Sequence, residues 1–248
     1  MKTFSFLIFL FFASTPVLNA QSWTPADSNT NENLNSVYIL DQHYGWAAGD
    51  NGTILHTSNG GETWVPKNSR TSENLNYVHF FDELRGWIAG DENTLIFTDD
   101  GGNTWSDRRP SSVPGQNLNS VYFTDWKRGF TAGGPGNVIY RTDDAGLTWQ
   151  RIYSEGTDLQ ILTIHFTDQN YGSAIDSAGF IFTENGGSSW NRIVFEPQIG
   201  SVSLRDMYFA NDSIGYAIAN NENDGFIFKT ENRGKNWELL TEVKDEYL

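Results

Sequence analysis

Short runs in which apolar and polar residues alternate recur along this chain. The clearest is Leu34 to Leu40, LNSVYIL, and Leu118 to Phe123 repeats it as LNSVYF. Alternation with a period of two, carried by β-branched and aromatic residues, predicts a β-strand. A Gly-aromatic-Ala segment, as in 45–49, and an apolar run, as in 53–57, predict two further strands, and a Trp after a Gly-rich turn opens a fourth. No window has the apolar stripe of a helix, so the pattern predicts an all-β protein.

The four-strand unit occurs five times, at a spacing of about 43 residues. Three landmarks keep this spacing: an opening apolar residue, a Gly that usually precedes an aromatic residue, and the Trp of the fourth strand. Because three landmarks share one period, the chain contains an internal repeat. The opening residues are Leu34, Leu75, Leu118, Ile161 and Leu204, and the glycines are Gly45, Gly86, Gly129, Gly172 and Gly215.

Repeats of this kind predict a β-propeller, in which four-stranded antiparallel blades stack around a central channel. A single such sheet cannot bury both of its faces, so each blade needs neighbours. We expect one domain over 21–248, with an extra strand at 21–27 that carries another Trp, Trp23. Because the last unit already has its own fourth strand, the sequence favours five blades and leaves open six blades or an incomplete ring. The repeat units lie at about 34–74, 75–117, 118–160, 161–203 and 204–248.

The Gly-rich turn before each fourth strand resembles the Asp-box, Ser/Thr-x-Asp-x-Gly-x-Thr-Trp, of bacterial neuraminidase repeats. A short polar side chain at its third position can bond backbone N–H groups further along the turn, and the Gly at its fifth position tolerates a positive φ. An EF-hand calcium loop needs more oxygen ligands and a closing Glu, so we predict structural turns and no metal site. The polar residues are Asn59, Asp100, Asp144, Asn185 and Asn232, the glycines are Gly61, Gly102, Gly146, Gly187 and Gly234, and the tryptophans are Trp64, Trp105, Trp149, Trp190 and Trp237.

The first twenty residues have the order of a secretory signal peptide. Lys2 precedes an apolar run from Phe4 to Ala13, and the small residue Ala20 stands before Gln21. Crossing a bilayer takes about 20 consecutive apolar residues, and this run has about half that length. We therefore expect cleavage after Ala20, no membrane insertion, and an exported product that is periplasmic, bound at the cell surface or extracellular.

Charge and cysteine content narrow the range of partners. The chain has 16 basic and 31 acidic residues, a formal net charge of −15, and no Cys. An acidic surface repels phosphate backbones and anionic lipids, so nucleic acid is not an expected partner. Without disulfides, stability has to come from packing, to which 9 Trp, 10 Tyr and 17 Phe can contribute.

Taken together, the boxes, the Leu-x-x-Val/Ile/Met-x-Phe opening and the Gly-Trp-x-Ala-Gly segment resemble one family of propellers, the photosystem II assembly and stability factors. The resemblance extends from Trp23 to about Thr241. It implies a propeller that binds proteins during assembly, without catalysis and without a cofactor. Photosynthetic members of the family are longer, with seven blades and an Arg-rich surface, whereas this chain has five units and is acidic. The interpretation is an exported scaffold that binds an unknown protein partner.

A glycan-binding or sialidase-like propeller is the alternative, because Asp-boxes also occur in sialidases. That family needs three substrate-binding Arg, an Arg-Ile-Pro motif and a Tyr nucleophile with a Glu, whereas here the segment 107–110, DRRP, lacks the Ile and falls in mid-chain. The chain has no Gly-x-Ser-x-Gly, His-Glu-x-x-His or phosphate-loop motif. We therefore predict no catalytic residues, although no sequence argument excludes a carboxylate pair that cleaves glycosides.

Loops on a rigid scaffold are the usual place for binding, and a meandering blade puts them on two faces. Turns between second and third strands and the inter-blade connections emerge on one face, termed the loop face. Turns between first and second strands and the boxes emerge on the other, termed the box face. The position before the repeated Gly on the box face is Arg85 in one unit and Arg128 in another, and Arg is frequent in interface hot spots. The candidates on the loop face are Asp50, Asp91, Glu92, Asp176, Arg108 and Arg109.

Overall fold

Five four-stranded antiparallel sheets make up the part of the chain that the computed structural model describes, residues 26–111, 115–193 and 202–244. In every sheet the strands lie in chain order, so each sheet is a meander. Blade 1 consists of β1 (Leu34–Ile39), β2 (Gly45–Gly49), β3 (Thr53–Thr57) and β4 (Val65–Asn68). Blade 2 consists of β5 (Leu75–Phe80), β6 (Gly86–Gly90), β7 (Leu95–Thr98) and β8 (Ser106–Asp107).

The other three blades follow the same plan, which confirms the predicted all-β propeller of five blades. Blade 3 consists of β9 (Asn117–Phe123), β10 (Gly129–Gly134), β11 (Val138–Thr142) and β12 (Gln150–Tyr153). Blade 4 consists of β13 (Thr163–Phe166), β14 (Gly172–Asp176), β15 (Gly179–Thr183) and β16 (Asn191–Ile193). Blade 5 consists of β17 (Ser203–Phe209), β18 (Gly215–Asn220), β19 (Gly225–Thr230) and β20 (Glu238–Val243).

The predicted signal peptide, residues 1–20, lies outside the described residues, and so does most of the predicted extra strand at 21–27. Its last two residues, Ala26 and Asp27, are described and belong to no strand. Within the described ranges, no helix has the length and apolar character needed to cross a membrane.

The first strand of each blade lines the central channel. The channel has a volume of about 690 Å³, and residues of β1, β5, β9, β13 and β17 surround it. In four of the blades this strand is irregular near its start, where one residue has no partner on the second strand, as a β-bulge produces. The residues without a strand partner are Asn35, Asn76, Asn119 and Arg205.

Consecutive blades pack through opposite faces. The face of a blade that contacts the next blade is termed its trailing face, and the face that contacts the preceding blade its leading face. At the junction of blades 1 and 2, Trp46 on a trailing face stacks on Phe80 of a leading face, with ring centroids 3.6 Å apart. Blades 2 and 3 repeat the contact with Trp87 on Phe123 at 3.6 Å, and blades 3 and 4 with Phe130 on Phe166 at 4.0 Å. Each such buried side chain contributes about 1.5–3 kcal/mol.

The repeated Gly has a packing role at these junctions. A Cβ atom on Gly86 would lie 2.5 Å from the ring of Phe80, so the ring lies directly against the backbone of the second strand. Gly129 is in the same position relative to Phe123, and Gly172 relative to Phe166. The Gly therefore recurs in each repeat because any side chain at this position would collide with the side chain on the leading face of the same blade.

The box turns, between the third and fourth strands, share one set of hydrogen bonds. In blade 1 the Asn59 side-chain oxygen accepts bonds from the Thr57 hydroxyl at 2.9 Å and from the Thr63 backbone N–H at 3.0 Å. The N–H of Gly61, whose φ is +88°, donates to the Thr57 hydroxyl oxygen at 2.9 Å. Because every partner lies within six residues, the turn is specified locally. The corresponding polar residues in the other blades are Asp100, Asp144, Asn185 and Asn232.

Four clusters of buried apolar side chains form the core, one at each junction of consecutive blades. Among the described residues, none of these clusters joins blade 5 to blade 1. Instead, an apolar cavity of about 350 Å³ lies on the leading face of blade 1, with Val37, Leu55 and Trp64 in its lining. We term this fifth junction the seam.

Candidate functional site

The acidic residues predicted on the loop face are bonded to their own repeats. Asn33 and Asn35 donate to the two carboxylate oxygens of Asp50, at 2.8 and 2.9 Å. These bonds, that of Asn35 above all, hold the pKa of the Asp50 carboxyl below its ordinary value. Asp91 accepts equivalent bonds from Asn74 and Asn76, at 3.1 and 2.9 Å. Each carboxylate thus connects the turn between the second and third strands of its blade to the start of the first strand. A role of Asp50 and Asp91 in binding stays a prediction.

Asp176 belongs to a polar network that joins blades 3 and 4. Its side chain is fully buried, and Arg192 bonds both Asp176 and Glu155. Asn137 donates to Glu155 at 2.8 Å and to Asp176 at 2.6 Å. The bond from Arg192 is the main cause that lowers the pKa of Glu155 to about 2. These two carboxylates are therefore held by one guanidinium, an arrangement that favours a structural link over an acid–base pair.

Glu92, Arg108 and Arg109 do not converge on one point. Glu92 is exposed at the tip of its turn. Arg109 forms an ion pair with Asp107 at 2.7 Å, in which both side chains are about half exposed. The Arg108 guanidinium lies 5.3 Å from the ring centroid of Phe97, and its carbonyl oxygen accepts a bond from Trp149. Arg108 thus supports the junction of blades 2 and 3, and whether any of the three binds a partner is untested.

On the box face, the structure brings Arg85 together with exposed apolar residues that the sequence had not singled out. Its guanidinium bonds Asp82 at 2.8 Å and lies 5.4 Å from the ring centroid of Phe81 and 5.7 Å from that of Trp126. Phe81, Leu84 and Trp126 are exposed by 39%, 58% and 47%. Lys127 places its ammonium 4.6 Å from the Trp126 ring. We term these five residues, Phe81, Leu84, Arg85, Trp126 and Lys127, the box-face patch.

Arg128, the second predicted box-face residue, is next to the patch in sequence but is held elsewhere. Its Nε bonds Asp143 at 2.9 Å, and Asp143 also accepts a bond from Arg141 at 2.8 Å. Burial acts to raise the pKa of Asp143, but the bonds from the two guanidinium groups outweigh it and leave that pKa below its ordinary value. Arg128 therefore borders the patch as part of a charged trio.

The patch lies at a mouth of the central channel. A cavity of about 270 Å³ opens there, with Phe81, Tyr38, His79 and Tyr122 in its lining. The signal for the patch was weak in the sequence, because the turns of blades 2 and 3 mix Phe81, Leu84 and Trp126 with acidic and basic residues. Only the structure shows that these three side chains are exposed together around Arg85.

Five aromatic side chains, one from each blade, form a ladder around the channel. They occupy the same position of the first strand, and neighbouring ring centroids are 4.8–5.8 Å apart. Burial lowers the pKa of His79 to about 3 and that of His165 to about 4, so both imidazoles are neutral near pH 7. The sequence placed the two His at matching positions and missed the ladder. Its members are Tyr38, His79, Tyr122, His165 and Tyr208.

Comparison with known proteins identifies the family. The family model described as "Photosynthesis system II assembly factor YCF48" matches residues 15–108, 68–208 and 115–246. This chain belongs to the YCF48 family. The matches extend over nearly the whole sequence, as the resemblance of its repeats predicted. No curated protein matches the chain.

Solved structures of YCF48 share the fold. The structure described as "YCF48 bound to D1 peptide" is 20% identical, with 90% of this chain and 87% of that chain covered and a TM-score of 0.62. YCF48 from Cyanidioschyzon merolae is 17% identical, with 88% of each chain covered and a TM-score of 0.50. An ancestral GH74 enzyme is 16% identical over 90% of this chain but only 33% of its own, with a TM-score of 0.70. At such identities the likeness shows the fold alone.

In this YCF48-family chain the described residues contain no cluster of three or more His, Cys, Asp or Glu side chains suited to a metal ion. The glycan alternative has no support in the structure beyond the shared propeller fold and stays a prediction. The box-face patch is the feature whose composition is typical of a protein interface.

Proposed function

We propose that this protein binds a segment of a partner protein on its box face, at the mouth of the channel, without catalysing a reaction. The observation that carries the proposal is the patch of exposed Phe81, Leu84 and Trp126 around Arg85. Interface hot spots are enriched in Trp and Arg. Grouped apolar side chains that remain exposed on a folded protein mark interaction sites.

The patch is ordered before a partner arrives. Asp82 fixes the guanidinium of Arg85, which in turn lies against Phe81 and Trp126. Side chains that are already fixed lose little conformational entropy on binding, so more of the contact energy appears as affinity. The adjoining cavity of about 270 Å³ has room for a side chain of the partner.

Family membership supports the same class of partner. A YCF48 structure is described as bound to a D1 peptide, so at least one member of this fold holds a polypeptide segment. For the present chain the proposal is limited to a protein segment that presents apolar side chains to the patch. The acidic net charge of −15 favours a partner whose surface is not strongly acidic.

Export is the second part of the proposal. It is supported by the charge, apolar core and small residue at the expected cleavage point in residues 1–20. Amino-terminal sequencing of protein from the cell envelope should give Gln21 as the first residue. Recovery of the uncleaved chain from the cytoplasm alone would contradict export.

The test of the binding site uses the absence of Cys in the natural sequence. Single-Cys variants at Leu84 on the box face and Glu222 on the loop face each carry a photo-crosslinker. We expect the Leu84 probe to capture one envelope protein and the Glu222 probe to capture none. Capture by Glu222 alone would place the site on the loop face and refute the proposal.

The matched variants are Trp126→Ala in the patch and Glu92→Ala on the loop face. Loss of a hot-spot Trp costs about 2 kcal/mol or more, so Trp126→Ala should weaken binding at least about 30-fold. Glu92→Ala should leave the affinity within about twofold of the wild type. The opposite ranking of the two variants would show that the patch is not the interface.

A further inference from the structure

Two opposite charges lie in the central channel, and the proposed function uses neither of them. Among the described residues that line the channel of about 690 Å³, Arg205 and Asp206 are the two that are charged near pH 7. The other blades have uncharged residues at the matching positions of their first strands. These are Asn35, Ser36, Asn76, Tyr77, Asn119, Ser120, Leu162 and Thr163.

The irregularity at the start of β17 explains why two consecutive side chains face the channel. Leu204 pairs with Ala219 and Asp206 with Ile218, whereas Arg205 has no partner on β18. Successive side chains of a regular strand point to opposite faces, and a bulge interrupts that alternation. Both charges of blade 5 are therefore brought to the same cavity.

The two charged groups are not paired with each other or with other charges. None of the ion pairs formed by the described residues includes Arg205 or Asp206. The Nε of Arg205 donates to the Asn220 side-chain oxygen at 2.8 Å, and the Asp206 carboxylate accepts from the Met207 N–H at 2.8 Å. A guanidinium has five N–H donors, and a carboxylate accepts about four bonds. Most of the bonding capacity of both groups is therefore available to a ligand.

Tyrosines surround the carboxylate. Burial raises the pKa of Asp206 above its ordinary value, because the carboxylate is drawn partly out of water. Burial also raises the pKa of Tyr77 to about 12, and the charge of Asp206 adds to this effect, as do Tyr38 and Tyr208. Phenolic oxygens can accept hydrogen bonds from a cation beside the carboxylate. The surroundings of Asp206 thus suit an ammonium group.

Arg205 lies nearer the loop-face mouth of the channel. It also lines an open cavity of about 500 Å³ together with Asn220, Asn221 and Asn223, at the turn between β18 and β19. Turns between second and third strands emerge on the loop face, whereas Asp206 lies among the tyrosines of the channel. A ligand that enters from the loop face would therefore meet the guanidinium first and the carboxylate further inside.

We infer that this end of the channel binds a small zwitterion that carries one ammonium group and one carboxylate, as free α-amino acids do. The ammonium would bond Asp206, and the carboxylate would bond Arg205 at the mouth. A ligand with a single charge would leave the other protein group without a partner, which costs affinity. The channel volume is in the range of small-molecule sites, about 300–1,000 Å³.

The inference goes beyond the proposed function and does not depend on it. The box-face patch lies on blades 2 and 3 at the opposite mouth of the channel, so the two kinds of binding can be lost separately. Trp126→Ala should weaken binding of the protein partner and leave the affinity for the zwitterion unchanged.

The first experiment titrates the wild-type protein with the common L-amino acids in a calorimeter. We expect at least one of them to bind with a Kd of about 1 mM or lower. Its amide, which lacks the carboxylate, and its N-acetyl derivative, which lacks the ammonium, should each bind at least about 10-fold more weakly. No heat from any amino acid at about 10 mM, or a derivative that binds as tightly as its parent, would overturn the inference.

The second experiment assigns each ligand charge to its protein group. Asp206→Asn should weaken binding of the amino acid at least about 10-fold, and acetylation of the ligand should then cost little more. Arg205→Gln should have the same effect, and there it is amidation that should cost little more. Asp212→Asn and Arg151→Gln, at exposed residues outside the channel, are the matched controls and should bind like the wild type.

A purely structural role of the pair gives a different result. Variants at Arg205 and Asp206 that unfold at lower urea concentration, yet bind the amino acid like the wild type, would refute the inference. Should either variant fail to fold, the comparison of the amino acid with its two derivatives on the wild-type protein still decides.

Discussion

At the scale of single residues, the box turns illustrate how much is decided locally. Asp100 accepts bonds from the Thr98 hydroxyl and from the backbone N–H and hydroxyl of Thr104, at 2.7–2.8 Å. All of these partners are within four residues of Asp100, so the sequence alone predicted the turn and its polar residue. Burial acts to raise the pKa of Asp100, but the bonds from Thr104 and Thr98 outweigh it and leave the pKa below its ordinary value.

We expect Asp100→Ala to destabilise the protein by about 1–2 kcal/mol, because it removes three accepted hydrogen bonds, and Asp100→Asn to cost less. Asn is the natural residue at this position in blades 1, 4 and 5, which makes it the matched control. A carboxyl whose pKa is lowered on folding stabilises above its unfolded pKa and loses that effect as pH falls. The difference in urea-unfolding free energy between wild type and Asp100→Asn should therefore shrink from pH 7 to about pH 3. A difference independent of pH would contradict the role of the charge.

At the scale of elements, blades are joined by groups far apart in sequence. Arg192 in β16 bonds Glu155, which follows β12, and Asp176 at the end of β14. The sequence flagged Asp176 as a loop-face acid and gave no reason to connect it with Arg192. The pairing depends on how blade 4 packs on blade 3, so no local pattern predicts it.

Arg192→Met should destabilise the fold by about 3 kcal/mol or more, because it leaves the buried Asp176 without its cation. The deficit should narrow as pH falls from about 4.5 toward 2, since the Arg192 bond that lowers the pKa of Glu155 to about 2 stabilises the wild type only while that carboxyl is ionised. Arg109→Met removes a half-exposed ion pair and should cost at most about 1 kcal/mol. Equal losses in the two variants, measured by urea unfolding, would refute the structural role of the network.

The aromatic ladder gives a second prediction at this scale. The folded pKa of His79 is about 3, below its unfolded value, so the unfolded chain binds more protons and stability falls as pH drops below about 6.5. His79→Phe keeps a ring between Tyr38 and Tyr122. Between pH 7.5 and 5.0 the variant should lose about 2 kcal/mol less unfolding free energy than the wild type. His43→Gln, which removes an exposed His outside the ladder, is the matched control. An unaltered profile in His79→Phe would show that this imidazole is not buried in solution.

At the scale of the whole molecule, blades 1 and 5 each share one apolar cluster with a neighbouring blade among the described residues, whereas the three middle blades share two. In repeat proteins stability is the sum of unit and junction terms, so units with one junction open most readily. In the described part of the chain, the middle blades are therefore expected to be the most stable region.

Native-state hydrogen exchange should show this gradient. We expect amides of β9, β10 and β11 in blade 3 to be protected most, and those of blades 1 and 5 to exchange faster, at a concentration where the protein is monomeric. Protection that is equal in all five blades would indicate that a fifth junction forms and that the ring closes.

The sequence by itself determined the repeat, the strands and the box turns, because each rests on alternation or on partners a few residues apart, and it favoured five blades without excluding six. The tertiary structure decided which residues meet across blades: the box-face patch, the aromatic ladder, the Arg192 network and the seam. These depend on the angle at which one blade packs on the next, which is a sum over many side-chain contacts. A pattern with one period describes every unit alike, so it cannot show how the first and last units differ from the middle ones.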